Sequence, residues 1–377
     1  MASPTRLRQR LVTILRDEGA LTDPRWIDAF LRVPRHPFLP RFFLPEGDGW
    51  VAMSSEDHGW LKRVYSTNVL VTQLDDDQDR WEAARFDGPL PGTPTSSSSM
   101  PSIMAVMLEE LQVSDGQTVL EIGTGTGYNA ALLCQRVGDQ NVSTVDIDPA
   151  LVEPAKAALA ECGFKPACAV ADGAQGFPSR APFDRVLCTC AVSTIPLAWL
   201  EQTVPGGLIV TTLNRPIGAG LLRIVAGKGA TGQGRVLGRD GRFMPLRADR
   251  LSSPSLLLAK HASESGSTSR TKLPLNAVLS TSSRFEFFAG LELPNVVAYG
   301  DHLLHEDGSW TRHRTIDGEH FVEQGGPRRL WDDVERAHGE WIALGQPSRD
   351  RFGITVTPES QHFWLDTPRA THHWPLG

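Results

Sequence analysis

The stretch VLEIGTGTGYNAALL, residues 119–133, constrains the fold more than any other part of the chain. An apolar run ends on Gly123, Gly125 and Gly127 and passes without a break into a run with helical spacing. Glycine lets the backbone turn sharply and approach a ligand where a Cβ would clash, so the stretch reads as strand, ligand-binding turn and helix. Three glycines alone are a weak signal, because dinucleotide sites and purely structural turns share them. The surroundings sharpen it.

On either side the periodicity alternates. IMAVMLEEL has the spacing of an amphipathic helix and TVLEIG is a strand, followed by the YNAALLCQRV helix. VSTVDID (strand), PALVEPAKAALAECG (a helix opened by Pro149 and closed by Gly163), ACAVAD and FDRVLCTC (strands), IPLAWLEQTV (helix) and GGLIVTTL (strand) continue the series. Such units imply a parallel sheet with helices on both faces, so Val119 to Leu213 is a doubly wound α/β domain.

Upstream, Leu7, Leu11 and Leu15 recur at helical spacing, and the helical region closes at the proline-rich VPRHPFLP. DDDQD at 75–79 reads as a solvated loop. Four consecutive serines, Ser96 to Ser99, carry the composition of a flexible linker. Downstream, LLRIVAGKGATGQGRVLGRDGRFMPLR has strand character that adds antiparallel strands, and KHASESGSTSRTK reads as a mobile surface loop. The remainder, rich in tryptophan and histidine, reads as a mixed α/β unit ending in the strands FGITVTP and HFWLD.

The chain of 377 residues is long enough for two or three domains. Its 37 Lys+Arg against 44 Asp+Glu give no global reason to expect nucleic acid or an anionic membrane as partner. Arg and Gln interrupt the first segment as no signal peptide allows, and no apolar run has transmembrane length, so a cytoplasmic monomer is expected. Cys134, Cys162, Cys168, Cys188 and Cys190 form neither a disulfide nor a zinc pattern, and free, mostly buried thiols are expected. His302 and His305 have metal-compatible spacing without an organised third ligand, so no metal is expected. Trp310, Trp331 and Trp364 are read as core.

Three acids then fall along one sheet edge. Glu121 lies just before the first glycine, where a carboxylate acts on a cationic cofactor directly or through its loop and would repel a pyrophosphate. Asp146 stands 23 positions after Gly123 (146 minus 123), where an acid takes ribose hydroxyls. Asp172, before Gly173, reaches toward an adenine amino group. Three acids suit S-adenosylmethionine, with its sulfonium and ammonium, better than they suit NAD.

VLEIGTGTGY, VDIDP, ADGAQGFPSRAPFDRVLCTCAVSTIP and LEQTVPGGLIV, in this order, resemble the successive motifs of the protein-L-isoaspartate O-methyltransferase family, and VPRHPFLP resembles its substrate-side element. The resemblance covers roughly Leu7 to Val210, with a weakly matching insertion around Leu70 to Thr93. It implies a Rossmann-like class I methyltransferase fold with an N-terminal helical element and an additional C-terminal α+β domain. Implied cofactor contacts are Glu121, Gly123, Thr124, Gly125, Gly127, Tyr128, Asp146, Ile147, Asp172, Gly173 and Thr189, with S-adenosylhomocysteine as product. The implied division is residues 1–94 (helical, substrate-side), 95–225 (cofactor-binding) and 226–377 (accessory, recognising the peptide).

The resemblance also reassigns the serine run. The family's TISxPxM segment aligns without a gap on SSMPSIMA, placing Ser99 at the catalytic serine and Pro101 at the proline, so the run is an active-site loop rather than a linker. Ser97 and Ser98 stand where the family has threonine and isoleucine, and with Met100 they are candidate substrate contacts. His36 stays open between substrate contact and packing.

The long C-terminal region has no counterpart in the short repair enzymes. Its QGGPRRLWDDVERAHGEW and RFGITVTPESQHFWLD resemble the extended methyltransferases associated with ribosomally synthesised, post-translationally modified peptides such as lanthipeptides, lasso peptides and graspetides. That subfamily implies methylation of an L-aspartate in a modified, often macrocyclic ribosomal peptide, leading through the ester to succinimide and isoaspartate. The competing readings are isoaspartate repair, a NAD(P)-dependent oxidoreductase, and a non-catalytic peptide-binding module on the same fold.

Overall fold

The computed structural model describes residues 3–251, 253–261 and 265–376 and divides into two compact units. The first holds 1–190, 196–211 and 225–230; the second holds 191–195, 212–224 and 231–377. Residues 262–264 of the KHASESGSTSRTK stretch lie outside the described residues.

The first unit opens with helices α1 (Pro4–Asp17) and α2 (Pro24–Arg32), the latter capped by Asp23, whose carboxylate accepts from Arg25 N at 2.7 Å. A single 3-10 turn, His36–Phe38, sits between the prolines of VPRHPFLP. The chain then forms β1 (Arg41–Glu46), β2 (Gly49–Ser54), α3 (Trp60–Val64), β3 (Leu70–Leu74), α4 (Arg80–Asp87) and β4 (Pro94–Ser98). The four strands make a sheet in the order β2-β1-β3-β4, which the sequence reading did not foresee. Proline at position 45 and a mostly polar β4 hide these strands from pattern reading.

Three of the four serines, Ser96 to Ser98, are therefore in a strand, and Ser99 lies in the short connection that follows it. The strand is the edge strand β4, paired antiparallel to β3 with Leu70 opposite Ser98 and Val71 opposite Ser97. Helix α5 (Pro101–Glu110) follows, and it is buried almost all round rather than amphipathic, with Ile103 to Leu108 in the core.

The α/β core continues with β5 (Val119–Ile122), α6 (Tyr128–Val137), β6 (Val142–Asp146), α7 (Pro149–Glu161), β7 (Ala167–Val170), β8 (Phe183–Val192), α8 (Leu197–Glu201) and β9 (Thr203–Leu213). Its strands run in the order β7-β6-β5-β8-β9, and β5 pairs parallel with both β6 and β8. The alternation of the sequence is realised, and the turn after β5 lies at the carboxyl edge of the central strand, where open α/β sheets bind ligands.

The second unit contains most of β10 (Leu221–Ala226), then β11 (Gly232–Val236), α9 (Pro254–His261), β12 (Ser267–Thr271), α10 (Asn276–Leu279), α11 (Glu286–Glu292), β13 (Val297–Tyr299), β14 (His302–Leu304), β15 (Trp310–Ile316), β16 (Glu319–Gly325), α12 (Leu330–Ala343), β17 (Phe352–Val356), β18 (Gln361–Leu365) and β19 (His373–Pro375). Strands β11, β17, β18 and β19 pair in antiparallel succession, so FGITVTP and HFWLD are strands as expected. Part of the expected surface loop is instead strand β12, paired antiparallel with β16; its exposed Ser and Thr residues concealed it.

Trp310, Trp331 and Trp364 are buried, in line with their reading as core. At the heart of this unit the buried Glu286 accepts from Gly218 N at 2.9 Å, from Arg349 at 3.1 Å and from Arg242. His302 pairs with Asp301 at 2.7 Å and His305 with Asp307 at 3.0 Å, and no metal-binding cluster occurs among the described residues. All five cysteines are free, with Cys134 and Cys188 buried and the other three half-buried. No helix among the described residues is long and apolar enough to cross a membrane.

Candidate active site

The site is built from the turn after β5. Gly123 N and Thr124 N both donate to Val145 O, at 2.8 and 3.2 Å, which anchors the turn to β6. Gly123 has φ +95°, and a Cβ there would stand 2.7 Å from Thr189 Oγ1 and 2.9 Å from Cys190 Sγ. The Thr189 hydroxyl is itself fixed, 3.1 Å from Ile122 O and 2.9 Å from Gly123 O. Only glycine fits that position.

The register of β5 on β6 sets Glu121 opposite Thr144. Glu121 is 0% exposed; its Oε1 accepts from Asn129 Nδ2 at 2.7 Å and its Oε2 from Thr144 Oγ1 at 2.7 Å. The Thr144 and Thr124 hydroxyls lie 2.7 Å apart. Of the two routes left open for Glu121, direct contact and action through the loop, the geometry gives the second. The carboxyl braces the glycine turn through Thr144 and Thr124, and the start of α6 through Asn129. Burial lifts its pKa from 4.5 to about 7, against the pull of the Thr144 and Asn129 hydrogen bonds.

Asp146, half-buried at the end of β6, accepts from Gly125 N at 3.0 Å and from Asp148 N at 3.2 Å, so it ties the glycine turn to the mouth of α7. Ile147 next to it is 42% exposed, an apolar surface beside an acid. Asp172 is exposed and caps a 3-10 turn, accepting from Ala174 N at 3.0 Å; Gly173 O accepts from the Trp199 indole at 2.8 Å.

Two of the expected cofactor contacts, Thr124 and Tyr128, have buried side chains. Tyr128 is 2% exposed and packs against Phe30 and Phe38, and the Thr124 hydroxyl is buried against Thr144. The first residue of α6 turns the Tyr128 ring into the core, and the Thr124 hydroxyl in the preceding turn is taken up by Thr144.

The end of β4 reaches the same turn: Ser97 O stands 3.8 Å from where a Cβ on Gly125 would lie. Ser98 is buried, Ser99 is half-buried and Met100 is 43% exposed at the start of α5. His36 Nδ1 lies 2.9 Å from Tyr65 Oη, and burial followed by Arg8 lowers its pKa.

Arg35, Gln73, Asn129 and Thr144 were not singled out from the sequence. Gln73, on β3, donates to Asp148 Oδ2 at 2.8 Å and accepts from Thr95 Oγ1 at 3.0 Å, so it braces the serine-strand sheet against the loop that carries Asp146. Gln73→Leu is expected to destabilise the protein by about 2 kcal/mol, read from urea unfolding, because the buried Asp148 oxygen loses its donor. An unchanged midpoint would show that the brace carries no stability. The signal for Asn129 and Thr144 was strand register and helix periodicity around Glu121; for Arg35 it was a cation inside an otherwise apolar, proline-bounded turn.

A five-strand order β7-β6-β5-β8-β9 with a glycine turn after the central strand and an acid after the next one defines a class I methyltransferase architecture. A solved structure named protein-L-isoaspartate O-methyltransferase shares the fold, with a TM-score of 0.55 over 96% of this chain and 100% of that one at 22% identity. The family model described as Protein-L-isoaspartate(D-aspartate) O-methyltransferase (PCMT) matches residues 78–233. The protein-L-isoaspartate O-methyltransferase of Methylorubrum extorquens is 41% identical over 217 residues, which cover 58% of this chain and 78% of the relative. That of Pyrococcus abyssi is 36% identical over 242 residues, covering 63% and 93% respectively. This chain belongs to the protein-L-isoaspartate O-methyltransferase family. The fold similarity extends over nearly the whole chain.

Proposed function

We propose that this chain is an S-adenosylmethionine-dependent O-methyltransferase that esterifies an aspartyl-type side-chain carboxylate of a peptide. The observation that supports this reading is the meeting of β4 with the glycine turn, Ser97 O lying 3.8 Å from the Cβ position of Gly125, two residues before Ser99 in the chain. The cofactor fits the residues present. At Gly125 a Cβ would meet Ser97 O alone, at 3.8 Å, so the turn is open there; Asp146 stands half-buried beside the turn for ribose hydroxyls, and exposed Ile147 offers an apolar face to an adenine. Asp172, exposed at its turn, is available to the adenine amino group.

When bound, S-adenosylmethionine supplies a methyl group made electrophilic by a sulfonium. The substrate carboxylate is already a competent nucleophile, so the protein's work is alignment and partial exclusion of water rather than strong base catalysis. The Ser99 hydroxyl donates a hydrogen bond that holds the carboxylate in line. Ser99→Ala is expected to lower the rate of transfer about a hundredfold while leaving cofactor affinity unchanged. Transfer of labelled methyl to a peptide, with base-labile product, tests the function; an undiminished rate in Ser99→Ala would remove Ser99 from the mechanism.

The finer reading is that the peptide is a modified, often macrocyclic ribosomal product and that L-aspartate is the residue methylated. It is supported by Ser97 and Ser98 in place of the family's threonine and isoleucine, and by the resemblance of QGGPRRLWDDVERAHGEW and RFGITVTPESQHFWLD to the tailoring subfamily. Residues 226–377 would then recognise the peptide. The methyl ester loses methanol when the following backbone nitrogen attacks it, giving a succinimide that opens to aspartate or isoaspartate. Repair of L-isoaspartate is the second reading, favoured by the names of the relatives.

A further inference from the structure

Arg35 is the most deeply buried cation of the first unit, 0% exposed, and no carboxylate pairs with it among the described residues. Its Nη1 donates to Val64 O at 2.9 Å and Ser66 O at 3.3 Å. Its Nη2 donates to Ser98 Oγ at 3.0 Å and Ser99 O at 3.1 Å, so the guanidinium grips the last residue of β4 and the serine that follows it. Its Nε, equally buried, has no hydrogen-bond partner among the described residues. Around it stand Tyr65, whose hydroxyl accepts from Arg35 N at 3.2 Å, and Tyr128, whose ring centroid is 5.8 Å from the guanidinium carbon. Burial raises the pKa of both phenols, and burial lowers that of His36, so these neighbours are neutral near pH 7. Arg8, the other charged group beside Tyr65, is a second cation.

An uncompensated buried charge is costly, and a protein keeps one where a partner of opposite sign arrives. A substrate carboxylate held by Ser99 is such a partner. We propose that Arg35 is a positioning residue that supplies the positive charge against which the substrate carboxylate is held, acting through Ser98 and Ser99 without touching the substrate. The inference rests on the carboxyl methyltransferase reading above.

The test compares the affinities of an aspartyl peptide and its asparaginyl twin, measured on the full chain saturated with S-adenosylhomocysteine, which lacks the sulfonium charge. The wild type is expected to favour the carboxylate roughly tenfold or more. R35M is expected to bring that ratio near one with cofactor affinity unchanged, and R35K, which keeps the charge and loses the fork, to retain most of it. Equal weakening of both peptides in R35M, or a wild-type ratio near one, overturns the inference and leaves Arg35 a structural brace. If R35M does not fold, R35K decides: a retained ratio supports the charge role and a collapsed ratio overturns it. Wild-type methyl transfer is recorded on the aspartyl and isoaspartyl forms of the peptide. Its absence from both counts against the functional reading, whereas transfer with an unchanged ratio in R35M counts against Arg35 alone.

Discussion

Gly123→Val is expected to destabilise the protein by roughly 2–6 kcal/mol and to abolish binding of S-adenosylmethionine. Two costs add. The residue sits at φ +95°, which a β-branched side chain avoids, and its Cβ would stand 2.7 Å from Thr189 Oγ1 and 2.9 Å from Cys190 Sγ. Thr189 has little room to yield, because its hydroxyl is held by Ile122 O and Gly123 O. Any relief must come from the turn itself, and the turn carries Gly125 N to Asp146. Urea unfolding and calorimetric titration check both halves of the prediction. A variant that keeps wild-type affinity would show that the turn is structural and that the cofactor lies elsewhere.

Glu121→Gln is expected to change how stability depends on pH. Burial raises the pKa of Glu121 from 4.5 to about 7, so between those values the folded protein holds a proton that the unfolded chain has released. Stability from this group is fully present below the unfolded value and is lost as pH rises through the folded one. The loss across the window amounts to roughly 3 kcal/mol. Glutamine keeps the shape and can bond both Asn129 and Thr144 without titrating. The variant is therefore expected to match the wild type near pH 4.5 and to exceed it by up to roughly 3 kcal/mol at pH 8. Urea midpoints at the two pH values measure this; parallel curves for the two proteins would place the titration elsewhere.

The same residue shows how far the sequence could be read. Glu121, Gly123, Asp146 and the alternation around them were legible because strand, turn and helix follow one another within a few residues. What the carboxylate does was not, because its partners lie on α6 and β6 and are set by register. Thr144 is opposite Glu121 only once β5 and β6 pair. Strand β4 shows the opposite case: three consecutive serines, Ser96 to Ser98, carry no strand signal in the sequence, and only pairing with β3 makes them a strand. Arg35 escaped notice for a related reason. A charged residue in an apolar turn reads as surface until the fold closes Val64, Ser66, Ser98 and Ser99 around it. The buried Glu286 of the second unit, with Arg242 and Arg349 brought from distant segments, was equally invisible.

The measurement that tests the central claim most directly is methyl transfer, followed by mass spectrometry, onto three peptides: one with L-isoaspartate, its L-aspartate twin, and a cyclised peptide from a tailoring pathway. The account predicts methyl-ester formation on aspartate in the cyclised peptide, followed by loss of methanol to a succinimide. Turnover confined to the isoaspartyl peptide would contradict the tailoring assignment and leave a repair enzyme, and turnover on none of the three would contradict the carboxyl methyltransferase reading itself.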